Sequence, residues 1–427
     1  MPQFIRFDEA FLQTLRAAVD LPHLISQDLA LRSAGRSFKA CCPFHGEKTP
    51  SFTVGKESGF YRCFGCGATG DAIEWLKARH GMTFHDAARH LAKVNGVPLP
   101  QTAPLPDDQR AERRRLARLY AVLEEAARVY RHGLSKSAEA RRYLHSNREL
   151  APETVARFEL GTVAAGIIKL LRRHERGVLL EAGLAIEGAE GDLHDRFRHR
   201  VMIPIRNEAG SLIGFAGRAL STDSVRTSKY LNSPETPVFH KGRELYGLNH
   251  AKREIRRDRI AIVVEGYFDV ITLHSSGEQR AVAPMGTALT ADQLRKLLHH
   301  ADTVIFAFDG DEAGQKAAAA AACLTLSEIK DGQEAKFLAL PADADPDTFV
   351  RAHGIERWRA ALAQAVPLST LLARKVTEGL DLNIAEMRAC AAARAHSFLT
   401  QIKRAPLFGR ALRITFEHAL GMSLSEV

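Results

Sequence analysis

In the middle of the chain apolar residues come in short unbroken runs rather than in alternation. Ile260 to Val264 and Val304 to Phe308 are two such runs, rich in β-branched and aromatic residues and each followed by an acid and a glycine. A strand buried on both faces has this composition, because neither face can be polar. Ala281 to Pro284 and Lys336 to Leu340 supply two further strands. Helical patterns lie between them: Asp269 to His274, the stretch from the cap residue Thr290 to His300, and an alanine-rich stretch from Ala313. Strand and helix therefore alternate over 259–345, which predicts a βαβ series with right-handed crossovers.

The flanks are patterned differently. Residues 1–96 combine an N-terminal helix, a cysteine cluster, a helix from Asp71 carrying Ile73, Trp75 and Leu76, and a second helix from Thr83 towards Val94. Val97 to Asp108 contains Pro98, Pro100, Pro104 and Pro106, so 97–109 is expected to be a semi-stiff linker. A helical pattern follows from Arg110 to His132. The rest of 110–258 is mixed, with strands at Val201 to Ile205 and Leu212 to Phe215, and 346–427 is expected to be a helical subdomain, with helices alone from residue 355. The chain is thus expected to be a multidomain α/β protein.

Composition narrows the class. At 427 residues the chain is too long for one ordinary core. Its 59 lysines and arginines against 50 acids suit a polyanionic partner, although a mild excess also occurs on solvated surfaces. The arginines of 110–118 fit a solvated helix face. The surplus between 241 and 260, seven basic residues to three acidic, points to a track for a nucleic-acid backbone. No apolar run approaches membrane-spanning length, and Met1 to Leu15 lacks the pattern of a signal peptide. Six cysteines, four of them within 26 residues, fit a metal site in a reducing compartment, so a cytoplasmic location is expected.

The metal site is specific. Cys42-Pro-Phe-His45 and Cys63-Phe-Gly-Cys66 are two ligand pairs with two residues inside each and 17 between them. Three sulfurs and one imidazole close a tetrahedral Zn²⁺ shell and leave no open position, so one structural zinc is expected. Cys41 competes with Cys42, but only Cys42 keeps the spacing to His45. Buried thiols beside a surface histidine are the alternative. Phe52, Phe60, Tyr61, Phe64 and Trp75, interleaved with Lys48, Lys56 and Arg62, could either stack bases of a single strand or form the small domain's core.

Glu265, Asp309 and Asp311 follow directly on the two buried strands, and the carboxyl ends of such strands are where open α/β sheets bind ligands. Asp309 and Asp311, two apart, point the same way on an extended segment. Hard oxygen ligands of this kind favour Mg²⁺ or Mn²⁺, shared with substrate phosphates.

At this point the chain resembles the DnaG-type bacterial replicative primases. Cys42-Pro-Phe-His-Gly-Glu-Lys-Thr-Pro-Ser-Phe52 and Tyr61-Arg-Cys-Phe-Gly-Cys66-Gly resemble their CHC2 zinc-binding domain. Asp195-Arg-Phe-Arg-His-Arg200, Gly214-Phe-Ala-Gly-Arg218 and Lys229-Tyr-Leu-Asn-Ser-Pro-Glu-Thr236 are similar to the polymerase core of these enzymes. Glu265-Gly-Tyr-Phe-Asp269, Gly286-Thr287, Asp309-Gly-Asp-Glu-Ala-Gly314 and Asp345-Pro-Asp347 are similar to their TOPRIM module. The motifs are colinear from about residue 4 to 427. The resemblance implies a CHC2-type zinc ribbon over 1–96, an N-terminal polymerase subdomain over 110–258, a TOPRIM catalytic module over 259–345 and a helical subdomain over 346–427. It also implies RNA primer synthesis on single-stranded DNA from ribonucleoside triphosphates by two-metal nucleotidyl transfer, at a replication fork.

On that reading Glu265, Asp309 and Asp311 hold about two Mg²⁺ or Mn²⁺ ions, and Asp269, Asp345 and Asp347 complete the acidic cluster. Arg196, Arg198, Arg218, Lys229 and Lys241, with Asn232, would meet triphosphate and template. A replicative helicase is the implied partner, although no C-terminal helicase-binding domain is evident. Two positions depart from the family pattern: Glu149 follows Arg148 where the family has glycine, and Ala216 replaces a glycine. A TOPRIM nuclease and a non-catalytic zinc/TOPRIM protein that binds single-stranded DNA are the competing readings.

Overall fold

The computed structural model describes residues 7–424 except 57, 101–106, 164–165, 221–227 and 287. Pro104, Pro106 and Thr287, named above, lie outside the described residues. The chain divides into two compact units, 1–111 and 112–427.

In the first unit an antiparallel sheet runs in sequence order: β1 (Arg32–Ala34), β2 (Ser37–Ala40), β3 (Phe52–Gly55), β4 (Tyr61–Cys63) and β5 (Thr69–Gly70). Phe52, Val54, Tyr61 and Cys63 alternate inward along β3 and β4 and meet Trp75 from the helix Ala72–His80. The Tyr61 ring packs 5.2 Å from Phe52 and edge-on at 5.5 Å to Trp75. Trp75 Nε1 donates to Asp28 at 3.1 Å, so even the polar edge of this buried ring is satisfied. Asp71 starts the helix by accepting from the Ile73 and Glu74 amides, and Thr83 caps the helix Phe84–Val94. Three of the five aromatics considered for base stacking are therefore core. Only Phe60 and Phe64 are exposed, at 55% and 71%, and Arg62 lies 5.3 Å over the Phe64 ring.

The second unit opens within the helix Asp107–Lys136, which starts three residues earlier than the sequence pattern indicates. A four-stranded sheet follows, built from β6 (Gly161–Thr162), β9 (Arg200–Arg206), β10 (Leu212–Ala219) and β11 (Tyr230–Asn232) in the order β11-β10-β9-β6, with a side hairpin of β7 (Ala185–Glu187) and β8 (Leu193–Asp195). Met202 and Phe215 join Leu119 and Leu123 of the long helix in one core. Val201, Ile203 and Ile205 point to the other side.

The third sheet has the order β13-β12-β14-β15-β16, from β12 (Ile260–Val263), β13 (Ala281–Val282), β14 (Thr303–Ala307), β15 (Glu334–Leu338) and β16 (Val366–Pro367). The first four are parallel and β16 is antiparallel. Neighbouring residues divide between two cores. Ile262, Val264, Ile305 and Ala307 join Phe268, Ile271 and Trp358 on one face. Ala261, Val263, Val304 and Phe306 join Leu297, Leu326 and Leu372 on the other. Burial on both faces is why these strands are unbroken apolar runs.

Where the family pattern has glycine, Glu149 adopts a left-handed backbone with φ 56°. The turn is kept despite a side chain that disfavours it, and Glu149 pairs with Arg351 at 2.6 Å on the surface. Ala216, the other departure, is buried without disturbing β10. Glu149→Gly should raise the stability of this unit by about 0.5–1 kcal/mol in urea unfolding, because relief of the left-handed backbone exceeds the lost surface pair.

Candidate active site and zinc centre

The ends of β12 and β14 are tied together. Glu265, just past β12, accepts the Asp309 amide at 2.9 Å with Oε1. Asp269 sits in the first turn of the helix Tyr267–Ser275, is buried, and accepts the Gly266 amide at 2.7 Å. Asp311 caps the helix Glu312–Glu328 through the Gly314 amide, and Asp345 caps Pro346–Ala363 through the Thr348 amide. The glycines are needed for this approach: a Cβ on Gly314 would lie 2.0 Å from the Asp309 carbonyl oxygen, and one on Gly310 would lie 1.9 Å from that of Pro341.

These acids sense one another. Burial pushes the Asp309 carboxyl up to about 7, helped by the charges of Glu265, Asp345 and Asp311 and opposed by Lys229. Burial, with Asp309 and Asp345, pushes Asp269 up to about 8, and burial raises Glu265 as well. Asp309 Oδ1 is buried and has no hydrogen-bond partner. A buried carboxylate oxygen without a donor, among like charges, fits a cation. Among the described residues the four zinc-type ligands are the one group of three or more whose ligand atoms all lie within 4.8 Å of one another, so the acids form a looser cluster.

Asp347 is held differently from the other acids, although its charge also helps to raise Asp269. Its carboxylate is fully buried. One oxygen accepts from Thr272 at 2.8 Å, and the other forms an ion pair with Arg148. Arg148 lies 4.5 Å over the Phe268 ring. Asp347 therefore anchors the helix Pro346–Ala363 to the helix Tyr267–Ser275, which also carries Asp269.

The other candidates divide similarly. The Lys229 charge bears directly on Asp309. Arg218 lies between the rings of Tyr143 (5.8 Å) and Tyr230 (5.4 Å), and its Nε is buried without a partner. Asn232 is satisfied within the fold: Nδ2 donates to the Met285 carbonyl at 3.1 Å, and Oδ1 accepts from the Tyr267 hydroxyl at 2.9 Å. These two bonds fix its side chain and position β11. Half-buried Arg196 donates to the Asn232 carbonyl at 3.1 Å. Arg198 is exposed, with Nε on the Asp195 carbonyl, and the Lys241 amide donates to Glu235. Neither shares a hydrogen bond or ion pair with the acidic cluster among the described residues. Several arginines of the basic stretch 241–260 are spent on local pairs, Arg256 with Glu208, Arg257 with Asp258 and Arg259 with Asp302.

The zinc ligands converge. Cys42 Sγ lies 3.8 Å from Cys66 Sγ, and Cys63 Sγ lies 3.8 Å from His45 Nδ1. A tetrahedral ion with bonds of about 2.3 Å to sulfur sets its ligands about 3.8 Å apart. Cys42, not the exposed Cys41, belongs to the group. Burial opposes the Cys63 thiolate, but the Ser51 hydroxyl and the Cys66 and Gly65 amides outweigh it and bring the thiol down to about 6.

Sequence reasoning missed Glu47, which holds both halves of this site. Its Oε1 accepts the Cys42 amide at 2.6 Å and the Ser51 amide at 3.1 Å. Its Oε2 accepts the Ser51 hydroxyl at 2.5 Å and lies 3.2 Å from His45 Nε2. Ser51 Oγ in turn lies 3.2 Å from Cys63 Sγ. A carboxylate two residues beyond the histidine was the available signal, since a ligating imidazole needs an acceptor for its second nitrogen. Tyr143 and Arg148 were also missed. They lie at the start and just past the end of the π-turn Tyr143–Asn147, a spacing that ordinary helical periodicity does not reveal.

Three family models match the chain: a CHC2 zinc finger over residues 7–105, the N-terminal domain of the DNA primase catalytic core over 129–252, and a Toprim domain over 259–333. The chain is 39% identical over 426 residues to the DNA primase of Escherichia coli strain K12, covering 98% of this chain and 72% of that protein. The zinc-binding and RNA polymerase domains of the Aquifex aeolicus primase match at TM-score 0.63 and 32% identity, covering 97% of this chain and 98% of that one. A DnaG primase catalytic domain solved bound to single-stranded DNA matches 71% of this chain and 99% of its own, at TM-score 0.66 and 37% identity.

Replacing Glu47 by Ala should speed zinc release to a chromogenic chelator about 10–100-fold, because His45 and the Cys42 knuckle lose their common acceptor. Asp309, raised to about 7, keeps a proton that the unfolded chain sheds near pH 4. Its stabilising share is therefore present below about pH 4 and gone above about pH 7, where a bound cation would take the proton's place. Added Mg²⁺ should raise Tm by about 3 °C more at pH 8 than at pH 6 in differential scanning calorimetry.

Proposed function

The chain belongs to the DnaG-type bacterial DNA primases, and we propose how its own residues carry out the priming reaction. Like its relatives it is a DNA-directed, RNA-synthesising nucleotidyltransferase that makes primers for replication. This family membership leaves no support for the nuclease or the non-catalytic reading.

Glu265, Asp309 and Asp311 hold the divalent ions, about two Mg²⁺ or Mn²⁺, with Asp345 at the edge of the cluster. When bound, these ions neutralise triphosphate oxygens and activate the attacking 3′-hydroxyl. The chain's contribution is placement. The Glu265–Asp309 hydrogen bond fixes the separation of the two strand ends, and Asp269 fixes the helix that starts between them. Lys229 and Arg218 supply positive charge for the incoming ribonucleoside triphosphate, and Arg218 is steadied by the rings of Tyr143 and Tyr230. Arg196, Arg198 and Lys241 serve the template backbone, with Asn232 acting through β11. The zinc unit reads the single-stranded template with the outward side of β4, where Phe60, Arg62 and Phe64 alternate.

The observation that carries the reading is the buried, partnerless Asp309 Oδ1 among like charges. No helix among the described residues is long and apolar enough to cross a membrane, and action at replicating DNA in the cytoplasm, with a replicative helicase as recruiting partner, completes the proposal.

Glu265→Gln should reduce primer synthesis on single-stranded DNA at least about 10³-fold, with zinc content and unfolding midpoint unchanged. Near-normal incorporation of labelled ribonucleotide by this variant would overturn the metal assignment.

A further inference from the structure

A cavity of about 290 Å³ lies in the second unit between the helix Glu312–Glu328 and the helices that follow the sheet. One wall is the alanine face of that helix, Ala318, Ala319 and Ala322. Small side chains leave the space unfilled, where leucines would have closed it. Phe308 and Phe337 line it from the strands, and Leu371 and Phe398 line it from the helices Leu368–Thr377 and Ala385–Leu399. Its polar lining includes two cations, Arg374 and Lys375. Lys375 is paired with Glu378, whereas the exposed Arg374 makes no ion pair among the described residues.

Asp309 and Gly310 also line the cavity. Their loop has little slack elsewhere, since its backbone already touches the Pro341 carbonyl and Gly314. A molecule seated in the cavity therefore lies against the loop that carries Asp309.

We propose that this cavity is a binding site for a small molecule with a flat apolar body and one acidic group, and that its occupancy is coupled to divalent-cation binding at Asp309. The size and lining match the usual small-ligand site, mostly apolar with few polar groups to set orientation. The unpaired Arg374 selects the anion. Coupling must be reciprocal, so cation and ligand change each other's affinity by the same factor. Binding itself does not depend on the primase mechanism; only the coupling rests on the metal assignment.

The probe for the test is 1-anilinonaphthalene-8-sulfonate, which has two fused rings, a phenyl group and one sulfonate. Its fluorescence is titrated with the zinc-loaded 427-residue chain. One equivalent should bind, and Arg374→Glu should weaken binding about tenfold by setting like charges together. Ala318→Phe should weaken it at least as much by filling the space. If Ala318→Phe unfolds the unit, as circular dichroism would reveal, the exposed Arg374→Glu change decides the question alone. Probe affinity unchanged in Arg374→Glu overturns the site. Mg²⁺ should shift the probe affinity about threefold or more in the wild type and not in Glu265→Gln. A shift retained in Glu265→Gln, or none in the wild type, overturns the coupling while leaving the site standing.

Discussion

Like charges gathered at the edge of a parallel sheet repel one another, and much of the catalytic unit serves to hold them together. The Glu265–Asp309 hydrogen bond joins the two central strands at the point of greatest repulsion. Asp269 is clamped by its own helix terminus, and Asp311 and Asp345 are spent partly as caps. Glu265, Asp269, Asp311 and Asp345 thus each have one backbone amide as a fixed donor and keep further lone pairs for other partners. Hydrophobic burial on both faces of β12 and β14 supplies the rigidity against which the repulsion works.

The sheet was legible in the sequence because burial on two faces leaves no alternation to obscure it, and β12, β14 and the intervening helices fall within a few residues of the pattern. β16 was not legible: two residues pairing antiparallel with β15 carry no periodic signal. Zinc-ligand spacing was legible for a geometric reason, since a tetrahedral shell needs two tight knuckles. The acidic and polar positions were harder. Asp347 and Asn232 look in sequence like Asp345 and Lys229, but long-range packing brings Thr272 and Arg148 to one and Met285 and Tyr267 to the other. No local pattern shows which carboxylate will meet a buried arginine. The aromatics of the zinc unit split by strand parity, Tyr61 inward and Phe60 and Phe64 outward.

The two departures from the family pattern also differ in kind. Ala216 adds a methyl to a core that has room for it. Glu149 keeps a backbone shape that glycine would adopt more readily, because Arg148 beside it must reach Asp347. Local strain is tolerated where a buried ion pair fixes the chain on one side.

The parallel sheet also has a temporal side. The face formed by Ala261, Val263 and Phe306 is closed in part by Leu372, Ala391, Leu412 and Phe416, which are synthesised about 110 to 150 residues after β12. On the ribosome that face waits uncovered while β12 and β14 are already available to pair. Assembly of this unit is thus paced by translation of its helical end, and the exposed interval is the stage at which a chaperone has the most to protect.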